Sequence, residues 1–141
     1  VNDRTLKPNP MSNTTPFLHS IAKGDLQKSK PPSEDELWLK KVKLKVEQQL
    51  STPSLTVDEI ATQMHMSERQ FYRKIKKVTR RTPNQLMQRW RLERAKALLD
   101  AGKVKSISHL ANLVGYAKTN YFSKLFESRY GFRPSQSIDV F

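Results

Sequence analysis

Two short stretches concentrate side chains suited to hydrogen bonding with flat, polar edges. SERQFYRKIK (67–76) offers Ser67, Glu68, Arg69, Gln70, Tyr72 and Arg73, and KTNYFSK (118–124) offers Lys118, Thr119, Asn120, Ser123 and Lys124. Arginine can make a paired contact to guanine, asparagine or glutamine to adenine, glutamate can accept from cytosine, and hydroxyls are permissive. All of these except Lys124 are candidate base contacts; Lys74, Lys77, Arg80, Arg81 and Lys124 are candidate phosphate contacts. The same residues also suit the plain solvent face of an amphipathic helix.

The elements that must position them are helices. Ser33 followed by EDE is a helix start with acids in its first turn, and Leu37, Trp38, Val42, Val46 and Leu50 continue at helical spacing to near Ser51. Thr56 with Glu59, and Ser67 with Gln70, have capping-box spacing. They predict a short helix through Met64 and a second carrying Phe71, Ile75 and Val78 on one face. Thr82-Pro83 opens a long helix that closes at Gly102. Ser106 starts another to about Val114, and a last one runs from near Lys118 to Tyr130. No useful run alternates with period two, so an all-α fold is expected.

The chain repeats itself at an offset of fifty. Ile60-Ala61 matches Leu110-Ala111, Met64 matches Val114, Phe71 matches Tyr121, Tyr72 matches Phe122, Lys74 matches Lys124 and Ile75 matches Leu125. Each copy reads as a short helix, a tight turn and a second helix, the helix-turn-helix arrangement whose second helix enters the major groove of DNA. Ala61 and Ala111 permit close helix approach, and the residue four places on must take a left-handed backbone. Gly115 meets that demand freely, while His65 meets it under strain. At this spacing Phe71, Tyr121, Phe122, Phe126 and Tyr130 are expected in the core, as is Trp90.

Charge agrees with a polyanionic partner. The 141 residues carry 26 Lys and Arg against 13 Asp and Glu, a net +13. Between Ser67 and Lys96 there are eleven Lys or Arg and two acids, whereas residues 34–50 are balanced. Arg91 and Arg94, beside Glu93, are candidates either for this basic surface or for ordinary surface pairs. The absence of Cys excludes disulfides and thiolate chemistry. With no His–carboxylate ligand spacing and no Gly-rich phosphate loop, no metal, cofactor or enzymatic activity is expected. The chain lacks a signal pattern and any membrane-length apolar run, so a cytoplasmic protein without membrane contact is expected. Residues 1–33 hold five of the eight Pro and read as a linker or flexible tail, with an apolar cluster at Phe17, Leu18 and Ile21 able to dock.

From about Glu34 to Ser135 the chain resembles the AraC/XylS-type DNA-binding domain. The resemblance rests on the paired units, on RLERAKALL (91–99) in the connecting helix, and on ISHLANLVGYAKTNYFSKLFESRYGFRPS. It implies two helix-turn-helix subdomains, about 56–79 and 106–130, joined by a long helix at about 83–101 within a domain spanning 34–141. It also implies a sequence-specific transcription regulator that places two recognition helices in successive major grooves of double-stranded DNA. A non-specific DNA- or RNA-binding protein is the alternative. The segments flanking the first unit look like output domains of two-component hybrid sensor regulators. A receiver domain on the same full-length chain, RNA polymerase and a second copy are the further partners this admits. His65 departs from the family's turn Gly, Arg80 stands where a Gly often ends the first reading helix, and SQSIDVF lacks the usual Tyr-Arg ending.

Overall fold

A computed structural model describes residues 30–138; the apolar cluster at Phe17, Leu18 and Ile21 and most of the expected linker lie outside the described residues. Six α-helices are present among them, with no strand: α1 Glu34–Glu47, α2 Val57–Gln63, α3 Glu68–Thr79, α4 Pro83–Asp100, α5 Ile107–Leu113 and α6 Thr119–Tyr130. A 3-10 turn, Pro134–Ser137, follows.

Local chemistry sets most of the boundaries. Thr56, Ser67 and Thr82 each accept from the backbone N–H three residues on, and Glu59, Gln70 and Gln85 reciprocate, completing three capping boxes. Pro83 at the first position of α4 forgoes an N–H that would be unpaired there anyway. Helix α1 stops at Glu47, earlier than its apolar spacing predicts. Three-residue turns, with Gln49 N–H donating to Val46 O and Thr52 N–H to Gln49 O, carry the chain onward and still bury Leu50. Leu37, expected on the apolar face of α1, is exposed.

Packing forms two cores along one helix. The first gathers Val42, Val46 and Leu50 from α1 and its exit, Ile60 and Ala61 from α2, Phe71 and Ile75 from α3, and Leu86, Met87 and Trp90 from α4. The second gathers Leu92, Ala95 and Leu99 from α4, Leu110, Ala111 and Val114 around α5, and Phe122 and Phe126 from α6. Helix α4 is therefore the shared wall of both lobes, and the division falls between Trp90 and Leu92. Burying each Val, Leu, Ile, Met or Phe of these cores contributes roughly 1.5–3 kcal/mol. Phe126 also meets Phe122, Tyr130 and Phe132 in tilted or edge-on ring contacts, so the second core is the more aromatic.

Candidate nucleic-acid interface

Both turns take the backbone that the repeat requires. His65 sits at φ 60° and Gly115 at φ 87°. Met66 N–H donates to Ala61 O at 2.9 Å and Tyr116 N–H to Ala111 O at 2.8 Å, so the offset of fifty holds through this point. Ala61 and Ala111 are fully buried at the helix crossings, as their small size suggested.

Beyond the turn the offset becomes fifty-one. Helix α3 begins at Glu68 and α6 at Thr119, and the left-handed caps that end them are Arg80 at φ 64° and Gly131 at φ 81°. The buried pairs are Phe71 with Phe122 and Ile75 with Phe126. The extra residue lies in the second turn, between Tyr116 and the cap Lys118, at Ala117. The pairings of Phe71 with Tyr121, Tyr72 with Phe122, Lys74 with Lys124 and Ile75 with Leu125 are corrected accordingly. Arg69 corresponds to Asn120, Gln70 to Tyr121, Tyr72 to Ser123 and Arg73 to Lys124. Tyr121 is 54% exposed instead of buried, a second correction, and it stands on the polar edge of α6.

Corrected in this way, the two edges match. On α3, Glu68, Arg69, Gln70, Tyr72, Arg73 and Lys77 are exposed, with Ser67 exposed at the N-cap. Arg69, Arg73 and Lys77 lie four residues apart and form one stripe. On the second edge Lys118, Asn120 and Lys124 are exposed, Thr119 and Ser123 are half-buried, and Thr119 Oγ1 lies 3.4 Å from Ser108 Oγ. Two of the candidates have other work. Gln70 Oε1 accepts from Ser67 N–H at 3.0 Å, which leaves its amide N–H₂ to donate outward, so it offers half of a paired adenine contact. Lys74 Nζ lies 4.5 Å from the centre of the Trp38 ring, on the side of α3 facing α1.

The basic surface is narrower than the residue count implies. Arg91 is only 6% exposed, so it belongs neither to that surface nor to a surface pair. Glu93 Oε2 is bonded instead by Arg89 Nε at 3.1 Å and Arg129 Nη2 at 3.3 Å. Lys96 pairs with Asp100. Arg69, Arg73, Lys76, Lys77, Arg80 and Arg81 remain exposed on α3 and its exit. A cleft of about 460 Å³ opens beside the second edge, where Asn84, Met87 and Arg91 of α4 face Tyr116, Lys118 and Tyr121. Burial pushes the Tyr116 hydroxyl up to about 12; Arg91 pulls it back and Tyr121 adds to the rise. Burial lowers the Arg91 guanidinium from its usual value, with Tyr116 acting in the opposite sense. No helix among the described residues is long and apolar enough to cross a membrane.

Known proteins share this architecture. A family described as a helix-turn-helix domain matches residues 60–138. Histidine kinase P4 of Formosa agariphila is 36% identical over 104 residues, 74% of this chain and 8% of that protein. The transcriptional activator RhrA of Rhizobium meliloti is 34% identical over 95 residues, 67% of this chain and 30% of that protein. The C-terminal domain of AraT, a response regulator from Geobacillus stearothermophilus, superposes with a TM-score of 0.65 at 26% identity, covering 74% of this chain and 86% of that one. The chain belongs to the AraC-type helix-turn-helix family, the DNA-binding domains of transcription regulators. It spans less than a third of either full-length relative.

Proposed function

We propose that this chain is the DNA-reading part of a sequence-specific transcription regulator, with its domain at 34–141 and residues 1–33 as the linker to the rest of a longer protein. The observation that carries the reading is the pair of register-matched edges, Arg69, Tyr72 and Arg73 on α3 and Asn120, Ser123 and Lys124 on α6, each at the start of a helix packed behind a tight turn. Their N-terminal residues would reach base edges in successive major grooves, and Lys77, Arg80 and Arg81 would meet phosphates. Such a regulator would work in the cytoplasm, where bacterial DNA lies. A receiver domain in the full-length protein is supported by the likeness to a histidine kinase and to a response-regulator domain.

Helix α4 has 18 residues and is therefore roughly 27 Å long. Straight DNA repeats its face about every 34 Å. Seating both helices is expected to bend the DNA modestly, at a cost on the order of 1–6 kcal/mol. Selection of bound sites from a random DNA pool tests the reading. Two short motifs about one helical turn apart are expected. Featureless enrichment with a steep salt dependence would instead identify a non-specific binder.

A further inference from the structure

Arg91 stands where the two cores meet. Trp90 belongs to the first and Leu92 to the second, and the guanidinium between them is buried. A buried cation persists only where its N–H groups are satisfied. Arg91 Nη1 donates to Leu50 O and, at 2.8 Å, to Val114 O; Nη2 donates to Thr52 O at 3.3 Å. Leu50 and Thr52 lie in the exit from α1, in the first lobe, whereas Val114 caps the end of α5 in the second. One side chain thus holds backbone from both lobes. The partners are carbonyls, fixed to the main chain, so they lack the rotamer slack of a surface ion pair.

The turn glycine completes the same knot. A Cβ built on Gly115 would overlap Arg91 Nη1 and the Leu50 carbonyl oxygen. Gly115 is therefore needed for close approach as well as for its left-handed backbone. The Tyr116 ring lies 6.0 Å from the guanidinium carbon and shields one side of it.

We propose that Arg91 is a positioning residue that fixes the distance and angle between α3 and α6, and through them the spacing between the two halves of the bound site. The DNA consequence rests on the reading given above; the consequence for lobe geometry does not. The planar fork of arginine suits this task, and the compact ammonium of lysine cannot reproduce its spread of donors.

The native absence of Cys allows the test. Lys76→Cys on α3 and Ser128→Cys on α6, both exposed positions, would carry spin labels, and the interlabel distance would be measured with Arg91, Arg91→Lys and Arg91→Met. Circular dichroism identifies which variants are folded, and Arg91→Lys serves if Arg91→Met is not. A narrow distribution is expected with Arg91 and a broadened or displaced one in the folded variants. On DNA, the variants should keep single-half-site affinity within about twofold and lose about tenfold on the composite site, since a loosely held pair forfeits the advantage of preorganised, two-point binding. They should also lose the preference for the native spacer over one changed by a base pair. An unchanged distance distribution in folded Arg91→Lys overturns the proposal. Because the label distances need no DNA, a chain with Arg91 intact that shows no spacer preference would count against the operator reading and leave the geometric result standing.

Discussion

In the first unit a histidine holds the left-handed turn, and Ser67 and Gln70 cap the helix behind it; in the second, a glycine takes the turn, Ala117 lengthens it, and Lys118 supplies no side-chain cap. The first reading helix ends on Arg80 with a left-handed backbone and the second on Gly131. One copy thus accepts strained residues at both ends of its reading helix and balances them with local hydrogen bonds. The other has relaxed glycines and rests on an aromatic core around Phe122 and Phe126. The exposed positive charge follows the same division, with Arg69, Arg73, Lys76, Lys77, Arg80 and Arg81 on α3 and its exit against Lys124 and Arg129 on α6. The first unit is therefore expected to supply more of the affinity, and the second to be the more regular scaffold.

The sharpest way to break this contrast is at the glycines. Gly115→Ala is expected to cost about 2–5 kcal/mol, combining a left-handed alanine with overlap on Arg91 and Leu50. Gly102, at φ 67° with open space at its Cβ position, should cost only about 1–2 kcal/mol when changed to Ala. Equal losses in urea titrations would mean that Gly115 supplies conformation alone. Next in size, Arg73→Ala should weaken binding to a selected site by about 1–3 kcal/mol, while Asn120→Ala should chiefly relax the base preference at its own half-site. In anisotropy titrations across salt concentrations, Lys77→Ala should lower the salt slope by about one. If α6 substitutions lower it more than α3 substitutions do, the assignment of affinity to the first unit is wrong.

Smaller effects test the caps. Ser67→Ala is expected to destabilise by about 1 kcal/mol through loss of the capping box. Lys118→Ser, which offers α6 the cap it lacks, should stabilise by up to about that amount. Calorimetry with no gain from Lys118→Ser would show that the uncapped start of α6 is already satisfied. His65→Gly should change stability by less than about 1 kcal/mol, because relief of the left-handed strain is offset by glycine's greater backbone entropy. A large loss would give the imidazole a role beyond the turn.

Much of this was legible in the sequence because it is local. Thr56 and Ser67 announce their helices through neighbours three residues away and Thr82 through the adjacent Pro83, and the left-handed turns at positions 65 and 115 follow from the spacing of Ala61 and Ala111. The slip of register was not legible. Phe71-Tyr72 and Tyr121-Phe122 are both adjacent aromatics, so an offset of fifty or fifty-one sets ring on ring, and only burial separates exposed Tyr121 from buried Phe122. Arg91 was hidden by its type, since a charged residue on a helix reads as surface. A signal was present nonetheless. Met87, Arg91, Ala95 and Leu99 follow one another every four residues, and all four are buried, so the arginine lies on an apolar row. The exposure of the two polar edges could be foreseen from residue type, but their alignment with each other needed the three-dimensional turn.

The single residue added at Ala117 governs any attempt to transplant specificity between the two halves. A graft that copies the side chains of α3 onto α6 at the spacing of the repeat places each one a residue too early, rotated by roughly 100° about the helix axis. Chemistry meant for a base edge would then be turned toward the aromatic core. Exchange between the halves must follow the burial of Phe71 and Phe122, and the two duplicated sequences are therefore interchangeable modules only from their reading helices onward.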